Sequence, residues 1–89
     1  DLALLKLNSN EKLAALPLMN SRPMAGQSVF LAGFPGSADN KGIFSDDSTL
    51  VPTITKGSVS AVKTSTSGSF DLIQIDASAS HGNSGGPLL

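Results

Sequence analysis

The sequence predicts an all-β chain, on three observations. Apolar runs at residues 1–7, 27–33, 53–62 and 70–77 are each long enough for one strand and bounded by turn residues. No stretch keeps a helical period beyond about two turns, the best being "NEKLAAL" at 10–16. The intervening segments are rich in Gly, Ser, Asn and Pro, which punctuate strands rather than extend helices.

Taken in order, "DLALLKL" (1–7) is a strand stopped by "NSN". Residues 8–26 hold Pro17 and Pro23 around "LAALPL" and are expected to connect rather than pair. "QSVFLAG" (27–33) is a strand closed by a turn at Pro35-Gly36. Residues 36–52 form a long polar loop with an apolar dent at Ile43 and Phe44, and loops of that length are usually functional or mobile. "TITKGSVSAV" (53–62) is a strand in which Gly57 marks an expected bulge or bend. "STSGS" (65–69) turns the chain, and "FDLIQIDA" (70–77) returns it with Ile73 and Ile75 on one face. No internal repeat is evident.

Composition removes several functions. The chain has 89 residues, room for one small domain. The six Lys and Arg are scattered and the only aromatics are four Phe, so nucleic-acid binding has no basic patch and no stacking platform. No apolar run reaches the length of a membrane span. Cysteine is absent, which removes the thiol nucleophile and thiolate metal sites. Charged residues make up 15%, below the quarter or so usual for a soluble domain. Either other chain covers much of the surface or neutral polar residues dress it. The chain opens in "DLALLKL" and stops in "GGPLL", both apolar, and is therefore read as part of a longer domain.

The chemistry-bearing stretch is "HGNSGGP" (81–87). Residues 82–86 fit G-x-S-x-G, the nucleophile elbow of α/β-hydrolases. That elbow needs a strand running straight in and a helix straight out. Here the expected strand ends five residues early and Gly86-Pro87 is a poor helix start, so the elbow is rejected. "DDS" at 46–48 with Asp39 lacks the ligand spacing of a calcium loop and is read as solvated. Asp76 is expected to anchor a loop through backbone N–H groups. Lys6 and Lys56 are read as solvated, Met19 and Met24 as packing filler.

"GNSGGP" behind "QIDAS", with "DLALLK" upstream and "PTITKGSVSAV" between, resembles the chymotrypsin-like serine peptidases, and most the bacterial trypsin-like and HtrA-like branch. The resemblance covers nearly the whole chain and implies a partial chymotrypsin-like double β-barrel. Residues 1–7 would be the last strand of the first barrel and carry the acid, 8–26 the inter-barrel connection, and 27–89 an incomplete second barrel. It further implies a serine endopeptidase acting on polypeptides, outside the cytoplasm, with no cofactor and no metal.

By the same resemblance Ser84 would be the nucleophile and Asp1 the acid that orients a histidine. The backbone N–H groups of Gly82 and Ser84 would form the oxyanion hole. Ser78 and Ala79 would floor the first specificity pocket, whose lack of charge disfavours a Lys or Arg preference. Asn83 stands where digestive relatives carry an Asp that captures a new N-terminus, so activation of that kind is not expected. His81, the only histidine, lies three residues from Ser84 on one tight loop, the wrong placement for a base that a carboxylate must also orient. It is expected at the substrate rim, the true base coming from the missing first barrel. The isolated chain would then be inactive. A catalytically dead relative serving as a binding module is the alternative.

Overall fold

The computed structural model describes residues 3–36 and 42–89. Three strands, β1 (Ser28–Gly33), β2 (Thr53–Thr64) and β3 (Asp71–Ile75), form one antiparallel sheet in the order β1-β2-β3. The all-β expectation holds. Ser28 pairs with Ser58 and Gly33 with Thr53, while Val59 pairs with Ile75 and Thr64 with Asp71. β2 is thus long enough to serve two neighbours with its two halves. The β2–β3 hairpin closes as its composition predicts: Ser65 N–H donates to Phe70 O at 2.9 Å, and Gly68, at φ 70°, donates to Ser65 O at 2.8 Å.

The outer edge of β1 is taken by the end of the chain. Phe30 and Leu89 exchange N–H···O bonds of 2.8 Å each way, Ala32 N–H donates to Pro87 O at 3.2 Å, and Leu31 bridges Leu88. Residues 76–86 are therefore a loop held at both ends, by β3 on one side and β1 on the other.

Three details differ from expectation. Residues 3–7 form no strand, because a strand needs a neighbour for its ladder and none of the described residues offers one. The bulge falls at Ser60, between Val59 and Ala61, instead of at Gly57. Gly57 answers a different need: a Cβ there would sit 2.5 Å from Ala77 N and 2.6 Å from Asp76 Oδ1. The loop before β2 contains a short 3-10 turn, Asp46–Leu50, bound by Thr49 Oγ1 donating to Asp46 O at 2.6 Å.

The core is small. Alternation along β1 buries Val29 and Leu31, and Val59, 2% exposed, and Ala77 are buried with them. Residues 3–22 are exposed throughout, Leu4 at 99% and Leu18 at 95%. Total accessible surface is 7577 Å², against about 4,900 Å² for a compact chain of 9.0 kDa. The connection is tied to the sheet through Arg22, whose Nε lies 3.2 Å from Asp71 Oδ2 and whose Nη2 donates to Val62 O at 3.4 Å. Both partners are solvated, so the pair fixes direction more than it adds stability. Met19 and Met24 are both exposed, but Met19 with Pro23 lines a cavity of about 160 Å³ shared with Val29, Val59, Ile73 and Leu88. No helix among the described residues is long and apolar enough to cross a membrane.

Candidate functional site

"SHGNSGG" folds as two consecutive β-turns that share Asn83. Asn83 N–H donates to Ser80 O at 3.2 Å, and Gly86 N–H donates to Asn83 O at 2.9 Å. The third residue of each turn is a glycine with positive φ, Gly82 at 101° and Gly85 at 80°. Type II turns require that conformation at that place, and glycine adopts it without a Cβ penalty. Local sequence therefore dictates the loop. In such turns the N–H groups of the two central residues are left unused. Accordingly the amides of Gly82 and Ser84 donate to nothing among the described residues.

The exit of β1 backs this loop. Gly36 N–H donates to His81 O at 3.0 Å. A Cβ on Gly82 would collide with Phe34 O and sit 3.1 Å from Gly36 N. A Cβ on Gly33 would sit 2.5 Å from Asn83 Oδ1. Asp76 anchors the entry as expected: Ser58 N–H donates to its Oδ1 at 2.5 Å, and Asp76 N–H donates to Ser58 O at 3.2 Å. Thr55 Oγ1 donates to Ser78 O at 2.9 Å, fixing the chain just beyond.

Ser84 is exposed and lines an open cleft of about 330 Å³ with Gly82, Gly85, Phe34 and Pro52. The structure thus gathers Ser84 and Gly82 at one wall. Ser78, Ala79 and His81 are exposed but are not among the residues lining that cleft. The His81 imidazole makes no hydrogen bond with any described residue; only its carbonyl is engaged. Asp1 and Asp39 lie outside the described residues. Sequence reasoning missed Phe34, Pro52 and Thr55. The first two follow or precede strands in "GFP" and "VPT", a turn signal with no hint of a cleft, and Thr55 meets a partner 23 residues away. Among the described residues no group of three or more His, Asp or Glu side chains is placed to hold a metal ion.

Comparison with known proteins gives the family. A family model described as the trypsin-like peptidase domain matches residues 1–89. The chain is 36% identical over 93 residues to serine endoprotease DegS of Salmonella typhimurium, and 37% identical over 91 residues to human serine protease HTRA4. Both matches cover 100% of this chain, but it spans only 23% of the first relative and 18% of the second. With the serine motif, the strand order and full-length matches in accord, the chain belongs to the trypsin-like peptidase family.

Proposed function

We propose that these residues are the nucleophile-bearing part of a serine endopeptidase. Ser84 is the nucleophile, the amides of Gly82 and Ser84 are the oxyanion donors, and Asp1 orients a histidine supplied from outside these 89 residues. One observation carries the reading: the exposed Ser84 lines one cleft with Gly82, and the backbone amides of both donate to nothing among the described residues. The roles are carried over from the family's template.

In that scheme the histidine takes the Ser84 Oγ proton as Oγ bonds to the scissile carbonyl carbon, and the carbonyl electron pair moves onto oxygen. That oxyanion meets the Gly82 and Ser84 N–H groups, each typically worth about 10²–10³ in turnover. Collapse breaks the C–N bond while the histidine returns its proton to the leaving amine. Water then attacks the acyl-enzyme by the same route and frees Ser84. His81 does not act as the base, since it sits three residues from Ser84 on the same tight loop and is not among the residues that line the cleft. It belongs to the substrate rim, while Ser78 and Ala79 belong to the floor of the first specificity pocket, whose lack of charge disfavours Lys or Arg beside the cut.

Labelling of the intact protein with a fluorophosphonate, together with turnover of a peptide substrate, tests the reading. Ser84→Ala is expected to abolish labelling and to lower kcat about 10⁶-fold. Unlabelled wild-type protein that still binds peptide would replace the peptidase by a binding module. The 89 residues alone are expected to show neither labelling nor turnover.

A further inference from the structure

We infer that Gly33, at the end of β1, is a positioning residue for the oxyanion donors, acting through the side chain of Asn83. The inference rests on the peptidase reading above and extends it to a residue 50 positions away from Asn83 along the chain.

Three observations combine. First, the space over Gly33 is filled by Asn83: a methyl group there would lie 2.5 Å from Oδ1, 3.1 Å from Cα and 3.2 Å from Cγ. Contacts under about 3 Å are not tolerated in a close-packed interior, so one side must move. Second, Asn83 Oδ1 is buried and has no hydrogen-bond partner among the described residues. Buried polar atoms are normally bonded, and here no bond pins the carbonyl, so packing against Gly33 sets its position. Third, Asn83 is the residue shared by both turns, accepting from Gly86 and donating to Ser80. The peptide that follows it carries the Ser84 amide, and the Gly82 amide lies at the centre of the turn that Asn83 N–H closes on Ser80. A push on Asn83 therefore tilts the plane that carries the Ser84 amide directly and reaches the Gly82 amide through the turn that Asn83 closes.

The backbone opposite leaves little alternative. Phe34 O and Gly36 N already stand against Gly82, so the loop cannot slide along the exit of β1 to relieve the contact. Displacement of Asn83 passes into the turn geometry instead. Oxyanion donors act only within about 2.7–3.1 Å of the developing charge, so a small rotation removes transition-state stabilisation without removing any side chain that contacts substrate.

The test is a double-mutant cycle in the intact protein with Gly33→Ala, Asn83→Ala and the pair. Gly33→Ala alone is expected to lower kcat by about 10- to 100-fold, up to the loss of roughly one donor, with KM little changed. In the Asn83→Ala background the same substitution is expected to cost several-fold less, because Oδ1 and Cγ are gone and only the contact with Cα at 3.1 Å remains. Amide chemical shifts of Gly82 and Ser84 are expected to move in Gly33→Ala and to return in the pair. Equal loss in both backgrounds, or no loss in the first, overturns the inference. If Gly33→Ala fails to fold, the pair is expected to fold; a pair that also fails overturns it too. The amide shifts judge Gly33 independently of catalysis, so a wild-type protein inert to fluorophosphonate sinks the peptidase reading while leaving this one decidable.

Discussion

Residues 3–22 and residues 53–89 have similar access to apolar side chains and use them in opposite ways. The first segment holds six leucines, Leu4, Leu5, Leu7, Leu13, Leu16 and Leu18, and all of them are exposed. The second buries Val59 to 2% and Ala77 to 7% with shorter side chains. Hydrophobicity is the same kind of force in both. What separates them is a partner: β2 finds β1 on one side and β3 on the other, whereas the first segment reaches the sheet through Met19 and Arg22 and leaves its six leucines exposed. Burial of an apolar group needs an opposing surface, and its sequence cannot supply one alone.

The sharpest way to break this comparison is at the loop that the ordered half holds. Gly82→Ala places a Cβ against Phe34 O at a φ of 101°, so it is expected to distort the first turn. Turnover of the intact protein is expected to fall at least about 10²-fold, the value of one oxyanion donor. Retained turnover with an unchanged loop would show that β1 does not template it.

A smaller effect is expected in the core of the same half. Val59→Ala removes about two methylene equivalents from the most buried position, a loss of roughly 2 kcal/mol in a denaturant titration. A loss under about 0.5 kcal/mol would place Val59 outside the cooperative unit.

The smallest effect on fold is expected in the exposed half. The 89-residue chain is expected to self-associate on a sizing column and to bind a hydrophobic dye, because large apolar patches seek partners. Leu4→Ser with Leu18→Ser is expected to weaken both while leaving the far-UV circular dichroism unchanged. A changed spectrum would mean that the leucines already support the sheet.

Several parts of this molecule were legible without coordinates. Strands β1, β2 and β3 follow from short apolar runs between turn residues, and the Ser65–Phe70 closure follows from "STSGS". The site was legible as far as it is local. Ser84 and the Gly82 and Ser84 amides came from the resemblance that "GNSGGP" carries, and the structure added the two turns, with positive φ at Gly82 and Gly85, that hold them. Asp76 as an anchor was also accessible, since an Asp beside a strand end commonly accepts backbone N–H groups. The bulge was assigned to Gly57 because glycine marks irregular strands, but Ser60 carries it. Gly57 instead makes room for Ala77, a contact between residues 20 positions apart that no local rule contains.

By itself the sequence determined the strand segments, the serine motif and membership in a peptidase family, because each depends on neighbours within a few residues or on a motif read in order. Only the tertiary structure decided what stands behind the nucleophile. The packing of Gly33 on Asn83, of Phe34 on Gly82, and of Thr55 on Ser78 joins residues 23 to 50 positions apart. Such contacts follow from how β1 and β2 pair and where residues 87–89 close the edge of β1. Their physical cause is excluded volume in a shared interior, and a one-dimensional pattern carries no record of it.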